Sequence, residues 1–256
     1  MKNPKYSIII ATKNEEEAIA KVLCSIPEEI SKQSEIIVVD SSNDYTPIIA
    51  EKLGAKVIKE RRSGKGRAMK RGVKESKGKI LIFLDGDGTD PPEFIPKLLK
   101  KLKNSNLVLG CRSMKTFKED DYKMREIFRI YGIFIKSAFL ATGFRASDPL
   151  AGFRAIRRTD WDKLKLKSND FRIETEMDLK ALKEGFVVKE IAIPHFKRGG
   201  GLRKSKLATN PKMWLKILDT IIKFVKDEKL KRKVNNLKNK LKTNKRILEI
   251  YHKKNK

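Results

Sequence analysis

Two aspartates separated by one glycine, Asp85-Gly86-Asp87, follow directly on five apolar residues, Ile80-Leu81-Ile82-Phe83-Leu84. An apolar run this short, with Gly78 before it and Asp90-Pro91-Pro92 after it, predicts a buried parallel strand. The carboxylates then emerge at its C-terminal end, where open α/β sheets bind ligands. Two hard oxygen donors there suit Mg²⁺ or Mn²⁺, with water and phosphates filling the remaining positions. Gly86 would let a polyphosphate approach the backbone closely. The same residue types also make an ordinary polar turn, so the surrounding elements decide between the two readings.

Those elements alternate. Strand-like apolar runs fall at Tyr6–Ala11, Glu35–Asp40, Lys56–Lys59, Ile80–Leu84 and Leu107–Leu109. Helical spacing fills Asn14–Pro27, Thr46–Leu53 (ended by Gly54), Gly66–Ser76 and Pro92–Lys103. This pattern predicts an α/β fold with a doubly wound, mostly parallel sheet. Three of the strands run into polar groups: Thr12-Lys13-Asn14-Glu15, Asp40-Ser41-Ser42-Asn43-Asp44, and Asp85-Gly86-Asp87. In a parallel sheet these share one edge, able to hold a nucleotide and a metal-bound diphosphate. No GxGxxG follows the first strand, which disfavours a dinucleotide site. Further on come an amphipathic stretch, Asp120–Thr142, that suits either core packing or a lipid interface, a loop at Asp148–Arg154, a Glu-rich helix at Ile173–Lys183, and a strand at Phe186–Ile193. Gly199-Gly200-Gly201 forms a loop among basic residues, followed by a long helical pattern.

The 256 residues carry 60 Lys/Arg against 32 Asp/Glu, a net charge of +28. Residues 197–256 hold 21 Lys/Arg against 4 Asp/Glu, so the excess concentrates at the C-terminus. Such a segment favours polyanions, anionic lipid headgroups among them, or forms a solvated lysine-rich helix of the kind common in thermophiles. Aromatic content of 7% and the lack of a nucleic-acid motif argue against a specific nucleic-acid partner. Cys24 and Cys111 stand alone, which argues against a disulfide framework or zinc cluster and fits a reducing compartment. No signal peptide is expected ahead of the first strand, and no run is long and apolar enough to span a bilayer. A domain over residues 1–207 and a basic amphipathic helical tail over 208–256 are expected.

Six segments, in order, resemble the family 2 inverting glycosyltransferases, particularly the polyprenyl-phosphate (dolichyl-phosphate) mannose or glucose synthases. They are Ser7–Glu16, Ile37–Thr46, Gly64-Lys65-Gly66-Arg67-Ala68, Phe83–Asp87 with Asp90-Pro91-Pro92, Asp148–Arg154, and Ser205-Lys206-Leu207. The resemblance implies a GT-A fold, a nucleotide-sugar donor (GDP- or UDP-hexose), a divalent metal and a polyprenyl phosphate acceptor. It implies donor contacts at Ala11, Asn14, Glu15, Asp40, Lys65, Asp85 and Arg112, with Arg198 and Lys206 closing over the diphosphate. It places the metal on Asp85 and Asp87, and the acceptor phosphate at Arg125. Departures are visible: Lys13 replaces an aromatic residue, a single aspartate, Asp40, stands where two are usual, and Thr89 occupies the place of a third, glutamine, metal ligand. The glycine-expanded loop leaves Arg198 and Arg203 as alternative closing arginines.

The implied chemistry suits these residue types. An acceptor phosphate is already anionic and needs positioning and neutralisation, which arginine supplies. A nucleoside diphosphate leaving group needs a Lewis acid. A sugar hydroxyl acceptor would instead need a carboxylate base. Asp148 is the candidate for that or for an orienting role, with a plain turn before Pro149 as the alternative. With Asp87 and Arg125 it completes the expected catalytic set. The resulting expectation is hexose transfer to polyprenyl phosphate by an enzyme peripheral on the cytoplasmic membrane face, recruited by its basic tail or by a separate membrane subunit. A soluble glycan or small polar acceptor is the alternative.

Overall fold

The computed structural model describes residues 3–62, 64–112, 122–199, 205–207 and 210–243, with the helix backbone alone over 122–131. The chain forms two compact units, Met1–Lys118 with Leu150–Arg203, and Glu119–Pro149 with Lys204–Lys256.

The first unit is built on a seven-stranded sheet. Its strands are β1 (Tyr6–Thr12), β2 (Ser34–Asp40), β3 (Lys56–Lys59), β4 (Ile80–Asp85), β5 (Leu107–Arg112), β6 (Arg154–Arg157) and β7 (Val188–Ile193), in the order β3-β2-β1-β4-β6-β5-β7. Neighbours pair in parallel except β6, which runs antiparallel to both β4 and β5. The helices are α1 (Ile19–Cys24), α2 (Glu28–Ser31), α3 (Thr46–Lys52), α4 (Lys65–Lys74), α5 (Ile95–Leu102, after a 3₁₀ turn at Pro92–Phe94), α7 (Arg158–Leu164) and α8 (Arg172–Lys183). The intervening α6 (Tyr122–Thr142) belongs to the second unit.

Strand alternation divides the core. Ile8, Ile10, Val38, Ile82 and Leu84 face Ile19, Val22, Leu23, Ile95 and Leu98 of α1 and α5. Ile37 and Val39 of the other face pack with Ala68 of α4, where Gly72 meets Ile9 so closely that a Cβ would lie 2.4 Å from its Cγ2. Trp161 of α7 lies against Phe83, ring centroids 5.0 Å apart. Burial on both faces accounts for strands that read as continuous apolar runs.

The helix expected over Asn14–Pro27 is shorter than its apolar spacing suggests. Asn14 is left-handed (φ 55°), and the Glu15 N–H donates to Thr46 Oγ1 at 2.8 Å rather than entering a helix. The chain therefore turns before α1 begins. Gly86 also has a steric reason within the fold: a Cβ there would stand 2.6 Å from Thr12 Cγ2. Its hydrogen makes room for the neighbouring strand end.

The second unit packs α6 (Tyr122–Thr142), α9 (Pro211–Ile222) and α10 (Glu228–Thr243) on one another. Ile135, Ala138 and Phe139 of α6, Trp214, Ile217, Leu218 and Ile221 of α9, and Val234 and Leu241 of α10 are among its buried residues. The Asn210 side chain caps α9 by accepting from Met213 N–H at 3.0 Å, with Pro211 following it. Among the described residues no helix is long and apolar enough to cross a membrane.

Candidate active site

Parallel pairing brings the three polar strand ends to one edge. Thr12 stands opposite Asp40, and Ala11 opposite Asp85. Two loops at this edge are stitched together. Asp40 Oδ1 accepts from Thr12 Oγ1 (2.7 Å) and Ser42 Oγ (2.5 Å), and Oδ2 from Ser42 N–H (3.0 Å). Ser42 Oγ in turn accepts from Asn14 N–H (2.7 Å), while Asn14 Oδ1 accepts from Asn43 N–H (3.0 Å). Thr46, fully buried, accepts from Glu15 N–H and donates to Asp44 Oδ1 at 2.5 Å. Small hydroxyl residues thus relay between the acidic groups, and the expected donor residues Ala11, Asn14, Glu15 and Asp40 form one fixed wall.

Beside that wall stand two ion pairs. Lys65, at the start of α4, places Nζ 2.6 Å from Asp85 Oδ1 and 2.5 Å from Glu174 Oε1. Arg198 pairs through Nη1 with Asp87 Oδ2. The segment carrying Arg198 is fixed to the turn after β4: Phe196 N–H donates to Thr89 O (3.1 Å) and Gly199 N–H to Asp87 O (2.9 Å). Thr89 donates its hydroxyl (2.7 Å) and N–H (3.0 Å) to Asp87 Oδ1.

Electrostatics separates these acids. Burial alone would raise Asp87, but the Arg198 guanidinium and the two Thr89 hydrogen bonds outweigh it and hold the carboxyl below its usual range. Asp90 goes the other way. Burial, then the Asp85 charge, push it up to about 8 against the opposing pull of Arg112, and its Oδ2 is a buried oxygen with no hydrogen-bond partner among the described residues. Burial also raises Glu174, against the opposing charges of Lys65 and Arg154. Burial would lower Lys65, but Asp85 and Glu174 together raise it, so it stays a firm cation.

A divalent cation fits this arrangement in one specific way. Among the described residues no three His, Cys, Asp or Glu side chains converge into a cage. An ion that uses one or two carboxylates and completes its shell with water and phosphates needs none. Asp85 and Asp87 match that mode, each now neutralised by an internal cation that an incoming ion and diphosphate would replace.

Arg112 ends β5, which runs parallel to β4 and so reaches the same edge. Arg125, Asp148 and Lys206 belong to the helical unit, in α6, in the turn before Leu150 and in the short turn at 205–207. The Arg125 side chain and Arg203 lie outside the described residues. Sequence reasoning missed Glu174 and Asp90. The first was hidden in a charged helix that reads as solvated; the second had a visible signal, a third carboxylate beside Asp85 and Asp87.

Comparison with known proteins bears on this edge directly. The model of glycosyl transferase family 2 matches residues 7–164. A dolichyl-phosphate hexose transferase of Haloferax volcanii is 30% identical, over 76% of this chain and 84% of that protein. A dolichol-phosphate mannosyltransferase of Pyrococcus furiosus is 31% identical over 69% of this chain, but this chain spans only 53% of its length. Among solved structures, glucosyl-3-phosphoglycerate synthase of Mycobacterium tuberculosis, in complex with Mn²⁺, UDP and phosphoglyceric acid, superposes with a TM-score of 0.68 over 87% of this chain and 79% of that one. At 21% identity that likeness concerns the fold, the mixed α/β architecture of GT-A glycosyltransferases. The matched span runs from β1 through α7 and includes the stitched loops and the Asp85–Asp87 turn, and on this basis the chain belongs to glycosyl transferase family 2.

Proposed function

We propose that this glycosyltransferase moves a hexose from a nucleoside-diphosphate sugar to polyprenyl phosphate, with inversion at the anomeric carbon, at an anionic membrane surface. One observation carries the reading: two carboxylates at the nucleotide edge of the sheet, Asp85 and Asp87, are held by Lys65 and Arg198, cations suited to a diphosphate. The divalent ion supplies Lewis-acid stabilisation of the departing nucleoside diphosphate. Asp85 and Asp87 would hold it. Released from Asp87, Arg198 is free to pair with phosphate oxygens, and Lys206 is proposed to join it. The wall formed by Ala11, Asn14, Glu15 and Asp40 holds the nucleoside, and Arg112 adds positive charge at the same edge.

The acceptor assignment draws on the names of the two archaeal relatives and on the helical unit. A phosphate acceptor is already a nucleophile, so Arg125 is assigned to position it and Asp148 to orient it rather than to abstract a proton. On α6, Ile133 and Leu140 are 60% and 52% exposed, one heptad apart, with exposed Lys136 between them. On α10 there are seven Lys/Arg and one Glu. Apolar side chains flanked by lysines suit the boundary of an anionic bilayer, and a peripheral position on the cytoplasmic face follows from the same reading. The second reading, a soluble acceptor, is favoured by the phosphoglyceric acid named for the mycobacterial neighbour.

The test is a panel of GDP-mannose, UDP-glucose and UDP-N-acetylglucosamine with Mn²⁺, each offered polyprenyl phosphate or a short water-soluble acceptor. Sugar passing from one donor into the organic phase is the expected result. Equal transfer to the water-soluble acceptor would replace this reading with the second.

A further inference from the structure

We propose that Glu174 is a positioning residue of this site: through Lys65 it sets where the Asp85 carboxylate stands. The proposal rests on the reading of Asp85 as an anchor for the cation and the donor diphosphate.

Lys65 Nζ lies between two carboxylates, Asp85 Oδ1 at 2.6 Å and Glu174 Oε1 at 2.5 Å. Glu174 is 2% exposed, on the first turn of α8. Buried ion pairs seldom add stability over apolar residues of the same size. A buried Lys between two acids at the ligand edge therefore points to a task other than holding the fold together.

The surroundings leave Lys65 little freedom. It sits between Gly64 and Gly66, and side chains there would collide with the segment before α8. A Cβ at Gly64 would stand 2.3 Å from Asn169 O, and one at Gly66 2.4 Å from Ser168 O. Arg67 N–H donates to Asn169 O at 3.0 Å. That segment is itself held by α8, whose Glu176 accepts from the N–H groups of Lys167 (3.0 Å) and Ser168 (2.7 Å). Behind the pair, a Cβ at Gly152 would lie 2.7 Å from Asp85 Oδ2 and 2.8 Å from Lys65 Nζ, so nothing separates the two. The Glu174 carbonyl accepts from Arg154 Nη1 at 3.3 Å, and the fully buried Arg154 pairs with Asp178 at 2.6 Å. Helix α8 is thus fastened to β6, and it supplies both the clamp on the loop and the second partner for Lys65.

Sharing is the consequence. With Glu174 present the ammonium divides its charge between two acids, leaving Asp85 lone pairs available. Without Glu174 it turns wholly to Asp85 and competes with any cation there.

The test is a double-mutant cycle of Glu174→Gln and Lys65→Met, read as Mn²⁺ affinity of the donor-free protein from the resonance signal of free Mn²⁺. Glu174→Gln is expected to weaken Mn²⁺ binding by about tenfold, the lower range for residues that orient metal ligands. In the Lys65→Met background it is expected to change nothing, because its route to Asp85 is gone. Glu174→Asp, which keeps the charge but shortens the reach, carries the same comparison if the Gln variant does not fold. An equal loss in both backgrounds, the signature of independent effects, would overturn the proposal, as would unchanged affinity in the native background. Asp85→Asn separates the two levels. If it binds Mn²⁺ like the native protein, the anchor reading itself fails. If it binds weakly while Glu174→Gln binds normally, only the role of Glu174 fails.

Discussion

Asp87 and Asp90 lie three residues apart, yet their surroundings drive them in opposite directions. Asp87 is paired with Arg198, so a cation arriving before the donor must compete with that guanidinium. Arg198→Gln should therefore tighten Mn²⁺ binding to the donor-free protein, by about tenfold or more, the weight of one opposite charge beside a buried carboxylate. It should lower turnover about 10²-fold through loss of charge stabilisation on the diphosphate. Titration calorimetry beside steady-state kinetics checks both; weaker Mn²⁺ binding would contradict the competition. Asp90, raised to about 8, keeps a proton in the fold that the unfolded chain releases near pH 4. Its contribution then falls as pH rises from about 4 to about 8. Asp90→Asn should leave the melting temperature unchanged at pH 4 and raise it at pH 8, by the equivalent of about 1–3 kcal/mol. A lower midpoint at pH 8 would mean that the carboxylate is paired and stabilising.

At the scale of elements, the strands were the most legible part of the sequence. Ile80–Leu84 and Ile36–Val39 are continuous apolar runs because both sheet faces are covered, and the polar residues ending β1, β2 and β4 meet at one edge because those strands are parallel. What was not legible depends on tertiary pairing. The reversal of β6 leaves no local trace in Arg154–Arg157, and α2 and α7 are only four and seven residues long, too short for a clear period. The late start of the helix within the Asn14–Pro27 pattern is caused by Thr46, a residue 31 positions downstream of Glu15. Glu174 reads as an exposed charge in a Glu-rich helix, and only the packing of α8 against α4 makes it internal. The stitch itself is testable. Thr46→Val strands the buried Glu15 N–H and removes a donor from Asp44. The expected cost is about 1–3 kcal/mol in urea unfolding together with a raised donor KM. Unchanged KM would detach this loop from donor binding.

For the whole molecule, the +28 charge is unevenly used. In the sheet unit Lys65 and Arg198 are each held by acids at the strand-end edge. Helix α10 keeps Lys229, Arg232, Lys233 and Lys240 exposed, while Val234 and Leu241 face inward. Replacing those four by Gln leaves the buried face intact. It should weaken sedimentation with phosphatidylserine vesicles by about 1 kcal/mol per charge removed, with little effect on turnover of detergent-dispersed acceptor. Sedimentation equal to the native protein would remove α10 from membrane docking. The central claim, metal-assisted transfer of a hexose to polyprenyl phosphate from the Asp85–Asp87 edge, meets its most direct test in one measurement. Radiolabelled nucleotide sugar is incubated with polyprenyl phosphate and Mn²⁺, and label is counted in the organic phase for the native protein, for the native protein with EDTA, and for Asp87→Asn. The expected result is label from the native protein with Mn²⁺ and loss of it in the other two; organic-phase label persisting in Asp87→Asn or under EDTA would contradict the claim.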